Sequence, residues 1–351
     1  MKVIQPEALE QFTQSLFVAG GIGVDEAAVV ARSLVGANLR GYDSHGVMRV
    51  PFYIAAVRDG RVRPGQKLEI ERETPAALVC DGHWGLGQVL ARDLMERLIS
   101  KARVTGVAAG TLRQAAHIGR VGEYSEQAAE VGMAAVICAN GHGSGQRVAP
   151  VGGIRGRLGT NPISIGMPGG KDGAFVLDFG TSATAEGKVR VKRIAGEPVP
   201  LGWILDAEGN PTTDPKTLYG DPPGSILPMG GDQAYKGFGL AFMIEMLAGG
   251  LSGGQCAHAG APAPVGNDAL FLVLDPKQLG GADCLQKQID VLEPFVRETP
   301  RKAGVDRITL PGDPERRLLA QRQKEGIPLD DGNWAELVKL AESLKIAVPN
   351  E

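Results

Sequence analysis

Three features of the sequence predict a mixed α/β fold with helices at both chain ends. Apolar residues recur at helical spacing from residue 6 to 59 and again from 285 to 344. Between them, residues 76 to 274 carry short β-branched or apolar runs separated by helical stretches. Glycine is the third feature. Its 50 residues in 351 are about twice the usual share of roughly 7%. They fall between the apolar runs and not in repeats, as turns and close backbone approaches in a loop-rich core would require.

Each element follows in order. Pro6 stands at a first-turn position, Leu9, Phe12, Leu16 and Phe17 share one helical face, and Gly20-Gly21 ends the pattern. Asp25 is expected to cap a second helix bearing Ala28, Val29, Ala31, Leu34 and Val35. That helix ends near Gly41 and delivers Ser44 and His45 into the following turn. A third covers 50–59 and stops at Gly60. Strand-like runs lie at 76–80, 106–111, 134–139 and 174–178, with helices at 87–104 and 122–130 between them. A helix at 235–251 with an apolar face of Leu240, Phe242, Met243, Met246 and Leu247 precedes a loop or lid at 259–264, then a last strand at 269–274. Helical patterns at 285–298, 315–325 and 334–344 close the chain. The expected organisation is an N-terminal helical part (1–70), an α/β core (71–280) and a C-terminal helical part (281–351) packing on the first.

Composition narrows the function. With 43% apolar and 22% charged residues, the chain has ordinary globular make-up. A net charge of -3 without any Lys/Arg block argues against a nucleic-acid partner. Cys80, Cys138, Cys256 and Cys284 form no CxxC pair, so neither a metal cage nor a disulfide framework is expected, and free thiols fit a reducing cytoplasm. No apolar run approaches the roughly 20 residues that span a bilayer, so no membrane partner is expected.

The densest chemical signal is Gly41-Tyr42-Asp43-Ser44-His45-Gly46-Val47-Met48-Arg49. It places a hydroxyl, an imidazole and a guanidinium within six residues: a fork for a carboxylate beside a group that exchanges protons near neutral pH. An acid whose neighbouring carbon alternates between C–OH and C=O needs such a set. Four further motifs follow: Ala116-His117-Ile118-Gly119-Arg120, Leu158-Gly159-Thr160-Asn161-Pro162, Leu177-Asp178-Phe179-Gly180-Thr181-Ser182 and Tyr235-Lys236-Gly237-Phe238-Gly239, with Leu310-Pro311-Gly312-Asp313 near the end. In this order and spacing they resemble the malate/L-lactate dehydrogenase family, which is distinct from the Rossmann-type enzymes and includes ureidoglycolate and sulfolactate dehydrogenases. The resemblance runs from about residue 12 to 341. The segments 81–88, 248–254 and 323–330 are most similar to its hydroxycarboxylate dehydrogenase branch.

The resemblance implies a non-Rossmann NAD(P)-binding core of sulfolactate-dehydrogenase-like type, a helical domain from both chain ends, and a homodimer. It implies hydride transfer between 2-hydroxycarboxylates and 2-oxo acids. Reduction of a cyclic imine carboxylate and a ureidoglycolate-type reaction are the alternatives. Carried onto this chain, His45 and His117 are the catalytic pair, either one serving as acid/base, while Arg49 and Ser44 hold the carboxylate. The cofactor falls to Asn140, to the run Asp178, Phe179, Gly180, Thr181 and Ser182, to Tyr235 and Lys236, and to Gly312 and Asp313. Either NAD or NADP fits, with resemblance to keto-acid reductases pointing to NADP and Lys188, Arg190, Lys192 and Arg193 available for a 2′-phosphate. No metal is expected. Arg120 reads as a surface charge. The run 135–146, a strand entering Gly141-His142-Gly143-Ser144-Gly145-Gln146, is rejected as a Rossmann loop. Gln146 replaces the last glycine and Pro150 interrupts the receiving helix.

Overall fold

The computed structural model describes residues 2–260 and 266–349; the expected lid at 259–264 therefore falls largely outside the described residues. The chain opens with β1 (Lys2–Ile4), α1 (Pro6–Ala19), α2 (Val24–Leu39) and α3 (Val50–Arg58), with two 3-10 turns at Asp43–His45 and Val47–Arg49. Gly23, not Asp25, is the residue before α2, and no side chain caps it. Asp25 instead sits in the first turn, where a carboxylate complements the helix dipole.

The central region contains β2 (Glu69–Thr74), β3 (Ala77–Asp81), α4 (Gly87–Thr105), β4 (Val107–Ala116), α5 (Gly122–Glu130), β5 (Ala134–Asn140), β6 (Pro162–Met167) and β7 (Phe175–Gly180). Next come α6 (Glu186–Ala195), the two-residue strands β8 (Ile204–Leu205), β9 (Pro211–Thr212) and β10 (Ser225–Ile226), and α7 (Ala234–Ile244). A π-helical turn at Glu245–Gly250 extends α7, and β11 (Gly266–Leu274), α8 (Ala282–Arg297), α9 (Asp313–Glu325), β12 (Ile327–Leu329) and α10 (Asp331–Leu344) follow.

The main sheet has seven strands in the order β2-β3-β4-β11-β5-β6-β7. Only β3 and β4 run parallel; every other neighbour is antiparallel. A doubly wound dinucleotide fold needs a mostly parallel sheet with crossover helices, so this fold is mixed α/β of a non-Rossmann kind. Helices α4 and α5 pack on the sheet through Leu90, Leu94, Met95, Leu98, Tyr124 and Ala128, which share a core with Leu112, Ile137 and Phe271.

The two chain ends form a second core. Leu9, Phe12, Leu16, Phe17, Leu34, Val50 and Ile54 are buried together with Ile327, Leu329, Leu337 and Ala341. A two-stranded antiparallel pairing of β1 with β12 ties the ends covalently distant by over 300 residues into one unit. Helix α8 docks elsewhere, Ile289 lying against Gly169 in the turn after β6. A third, small core of Val148, Val189, Val199, Ile204, Leu218 and Ile226 holds α6 and the β10-β8-β9 sheet. Among the described residues no helix is long and apolar enough to cross a membrane.

Candidate active site

A cavity of about 430 Å³ opens where the end-helix unit, the sheet and α6 meet. Ser44, His45 and Arg49 reach it from the 3-10 turns after α2, His117 from the end of β4, Asn140 from the end of β5, and Glu186 from the start of α6. The turns adopt this path because Asn38, at the end of α2, is buried and accepts the Val47 N–H on its Oδ1 at 2.8 Å, while its Nδ2 donates to Asp43 at 2.7 Å. Asp43 is further gripped by Arg322 of α9.

Arg49 donates its Nε to the Ser44 carbonyl at 2.7 Å, which fixes the side chain and leaves both terminal nitrogens without a partner among the described residues. A guanidinium held this way presents its fork to an incoming carboxylate. His45 and His117 stack with ring centroids 5.5 Å apart and planes inclined by 24°.

Their second nitrogens differ. His45 Nδ1 lies 3.0 Å from Ser44 Oγ. His117 Nδ1 accepts from the Gly119 backbone N–H at 3.3 Å and lies 2.7 Å from the Tyr53 hydroxyl, which in turn accepts from Gln88 Nε2 at 3.0 Å. A backbone N–H can only donate, so Nδ1 is the bare nitrogen and the neutral ring carries its proton on Nε2. Burial, then the charges of Arg49 and Arg120, hold His45 down to about 4. Burial, Arg49 and His45 itself hold His117 well below the ordinary histidine range. Both rings are therefore neutral at pH 7 in the free site.

The structure thus brings Ser44, His45, Arg49, His117 and Asn140 to one cavity, but the rest of the expected set does not line it. The Asp178–Ser182 run abuts its wall: Thr181 Oγ1 donates to the carbonyls of Thr160 and Asn161, and Gly180 lies against Thr160. Phe179 pairs with Ile163 across β6 and β7. The Ser182 hydroxyl donates to Thr184 O. Asp178 accepts the Gly122 N–H at 2.9 Å, and burial raises its carboxyl to about 6 against the pull of Arg120. Tyr235 and Lys236 lie exposed at the start of α7, with Lys236 Nζ 5.9 Å above the Tyr235 ring. Gly312, at φ +90°, starts α9, where Asp313 is bound by Arg297, Arg316 and the Leu310 N–H. Although burial opposes it, those donors hold the Asp313 carboxyl well below its usual range.

Arg120 is not a surface charge. It is 3% exposed, paired with Glu126, 3.9 Å from Asp178 and 5.4 Å over the Tyr42 ring. His142 also departs from the cavity: it is buried at φ +48° with Nδ1 2.9 Å from both Asp268 oxygens, and Trp84 meets it edge-on. Residues that sequence reasoning did not single out for the site include Tyr53 and Gln88, which back the His117 ring at Nδ1. Glu186 on the cavity wall is another, and Arg147 stands there too. Arg147 has no side-chain partner among the described residues, and Glu186 accepts from Tyr219 at 2.7 Å. Cys80 and Cys138 are buried free thiols, and no cluster of metal ligands occurs among the described residues.

The profile of the malate/L-lactate dehydrogenase family matches residues 4–338. The chain is 36% identical over 349 residues to hydroxycarboxylate dehydrogenase B of Escherichia coli (strain K12), a span of 98% of this chain and 94% of that protein. Sulfolactate dehydrogenase from Methanocaldococcus jannaschii superposes with a TM-score of 0.87 at 32% identity, covering 98% of both chains. Malate dehydrogenase from Pyrococcus horikoshii OT3 superposes at 0.88 with 30% identity, covering 99% of this chain and 96% of that one.

Proposed function

The chain belongs to the malate/L-lactate dehydrogenase family, and from that premise we propose how its residues carry out the reaction. It is an oxidoreductase of 2-hydroxy acids, interconverting them with 2-oxo acids. One observation carries the site assignment: the partnerless guanidinium fork of Arg49 shares a cavity with two stacked neutral histidines.

Arg49 takes the substrate carboxylate, with Ser44 beside it. His117, whose proton is fixed on Nε2 by the Gly119 N–H, donates a hydrogen bond to the carbonyl oxygen and stabilises the negative charge that develops there. His45 is the proton carrier. Its affinity for a proton is held down by burial and by Arg49, so a carboxylate seated on Arg49 cancels part of that field, and His45 takes up a proton from solvent and passes it to the oxygen as the hydride reaches the carbon. In the opposite direction the neutral His45 accepts the hydroxyl proton.

A nicotinamide dinucleotide supplies or receives the hydride. The cavity suits its flat ring because Gly119, Gly141, Gly145, Gly159 and Gly266 form much of the wall. Asn140 and the Asp178–Ser182 run would hold it, with Tyr235, Lys236, Gly312 and Asp313 toward its far end. NADP is favoured over NAD. Lys188 and Arg190 of α6 are available to a 2′-phosphate.

The protein acts as a homodimer through α7. Phe242, Met243, Met246, Leu247 and Leu251 stand exposed along it, an apolar patch that water disfavours and a second copy would cover. Its free thiols fit the cytoplasm. The test is oxidation of NADPH or NADH, followed by absorbance, with pyruvate, oxaloacetate, 2-oxoglutarate, phenylpyruvate and a cyclic imine acid. Turnover confined to the cyclic imine acid, or none at all, defeats the 2-oxo acid reading.

A further inference from the structure

We propose that Glu245, at the junction of α7 and its π-helical turn, is a positioning residue for the active site, acting through Asn140 and Asn161. The proposal rests on the dehydrogenase reading of the cavity. Glu245 is 4% exposed and has no cationic partner among the described residues. Its carboxyl group accepts three N–H donors from three separate segments: Asn161 Nδ2 at 2.9 Å on Oε1, Asn140 Nδ2 at 2.9 Å and the Ala257 backbone N–H at 3.0 Å on Oε2. Two of these donors belong to residues of the cavity wall, and the third belongs to the loop after the π-helical turn.

The donors are orientated by the rest of their bonds. Asn161 Nδ2 also donates to Ala241 O at 3.0 Å, so turning its amide over would set oxygen against two acceptors. It is held at φ +29°, with its Oδ1 buried and without a donor. Asn140 is equally constrained, giving Nδ2 to Gln255 O and receiving the His142 N–H on Oδ1. Strained backbone and an unsatisfied acceptor persist only where the surroundings over-determine them. Glu245 is what the two amides have in common.

The π-helical turn explains how the helix reaches so far. Such turns recur at functional sites because the extra residue shifts the helix face that follows. Here that shift brings the backbone of Gly249 so close to the end of β5 that a Cβ there would lie 2.6 Å from Asn140 Nδ2 and 2.5 Å from Gln255 O. The same segment carries the exposed apolar patch. One helix therefore links the proposed subunit contact to the floor of the cavity.

The test uses the full-length protein with Glu245→Gln and Glu245→Asp. Glutamine keeps size but turns one acceptor into a donor, which must then face Asn161, Asn140 or Ala257. Aspartate keeps both acceptors and shortens the reach. For Glu245→Gln we expect a melting temperature within a few degrees of wild type, NADPH binding by fluorescence weakened about tenfold, and kcat lowered about tenfold. The KM for the oxo acid at saturating cofactor should stay within about twofold, because Arg49 is untouched. Glu245→Asp should recover part of the binding and of kcat. If Glu245→Gln does not fold, Glu245→Asp alone must show the same split at a native melting temperature. Unchanged kcat and cofactor affinity in the variants, or losses that follow the melting temperature alone, overturn the proposal. A wild-type protein without turnover overturns the dehydrogenase reading and this proposal with it, whereas full turnover in Glu245→Gln defeats this proposal alone.

Discussion

Two histidine environments lie at the ends of β4 and β5, the strands that flank β11, and serve opposite purposes. His142 follows β5, and both oxygens of the fully buried Asp268 face its Nδ1 at 2.9 Å. A carboxylate there fixes the ring as a hydrogen-bond donor into the protein, and the pair locks the strained loop to β11. His117 follows β4, and its Nδ1 accepts from a backbone N–H, which turns the ring's own proton toward the cavity it lines. The same side chain is a structural strut in one place and a ligand-facing donor in the other. The chemistry of the partner at Nδ1 decides which.

That contrast is broken or sharpened by substitution. The largest expected effect is at the proton carrier: His45→Ala should lower kcat by about 10²-fold or more, as loss of a general acid does. His117→Ala should cost about tenfold to 10²-fold in kcat through the lost donor to the carbonyl oxygen. Steady-state rates of both variants near wild type would remove the pair from the mechanism. Next is Arg49→Lys, which keeps the charge but loses the fork. A rise in oxo-acid KM of about tenfold is expected with NADPH affinity unchanged. An unchanged KM would place the carboxylate elsewhere.

His142→Asn supplies the opposite arm. Asparagine tolerates the left-handed backbone, yet the Asp268 contact is lost, so stability should fall by about 2–3 kcal/mol. Thermal denaturation reads that loss, while kcat should stay within about threefold. A large kcat loss without destabilisation would make His142 part of the site and erase the distinction.

The smallest effect is in the pH profile. Because burial and Arg49 hold His45 at about 4 in the free enzyme, its neutral, base-competent form persists far below the usual histidine range. For hydroxy-acid oxidation, kcat/KM should therefore remain level as pH falls from 8 to about 5 and drop through about 4. The sign also holds for stability. A histidine with a depressed folded value loses its stabilising contribution as pH falls from about 6.5, where the unfolded chain takes up the proton. A fall in kcat/KM centred near 6.5 would mean that His45 is solvated or not the base.

Much of this was legible in the sequence because it is local. Leu9, Phe12, Leu16 and Phe17 announce α1 by spacing alone, and Ser44, His45 and Arg49 lie within six residues, so their convergence needs only a turn. Strands β3, β4, β5 and β7 followed from short β-branched or apolar runs, and the family motifs identified the chemistry. What escaped was set by partners distant in the chain. Arg120 looks like a surface charge until Asp178, 58 positions later, and Glu126 neutralise it in the interior. The second partner of His117 Nδ1, the Tyr53 hydroxyl, lies 64 positions away. Strand β6 was hidden because it begins with Pro162 and alternates Ile163 and Ile165 with small residues, and β8 to β10 are too short to leave a periodic signal. The cofactor run at Asp178–Ser182 is present as a motif, yet the Thr181 and Ser182 hydroxyls and one Asp178 oxygen make internal bonds.

The central claim is that this cavity moves a hydride onto the carbon beside a carboxylate bound at Arg49. The direct measurement is reduction of a 2-oxo acid by NADPH or NADH dideuterated at C4, with mass analysis of the hydroxy acid formed. One deuterium at C2 in the wild-type product, and a product-formation rate lowered in both His45→Ala and Arg49→Lys at subsaturating oxo acid, is the predicted result. A hydroxy acid without deuterium, or no hydroxy acid with either cofactor, contradicts it.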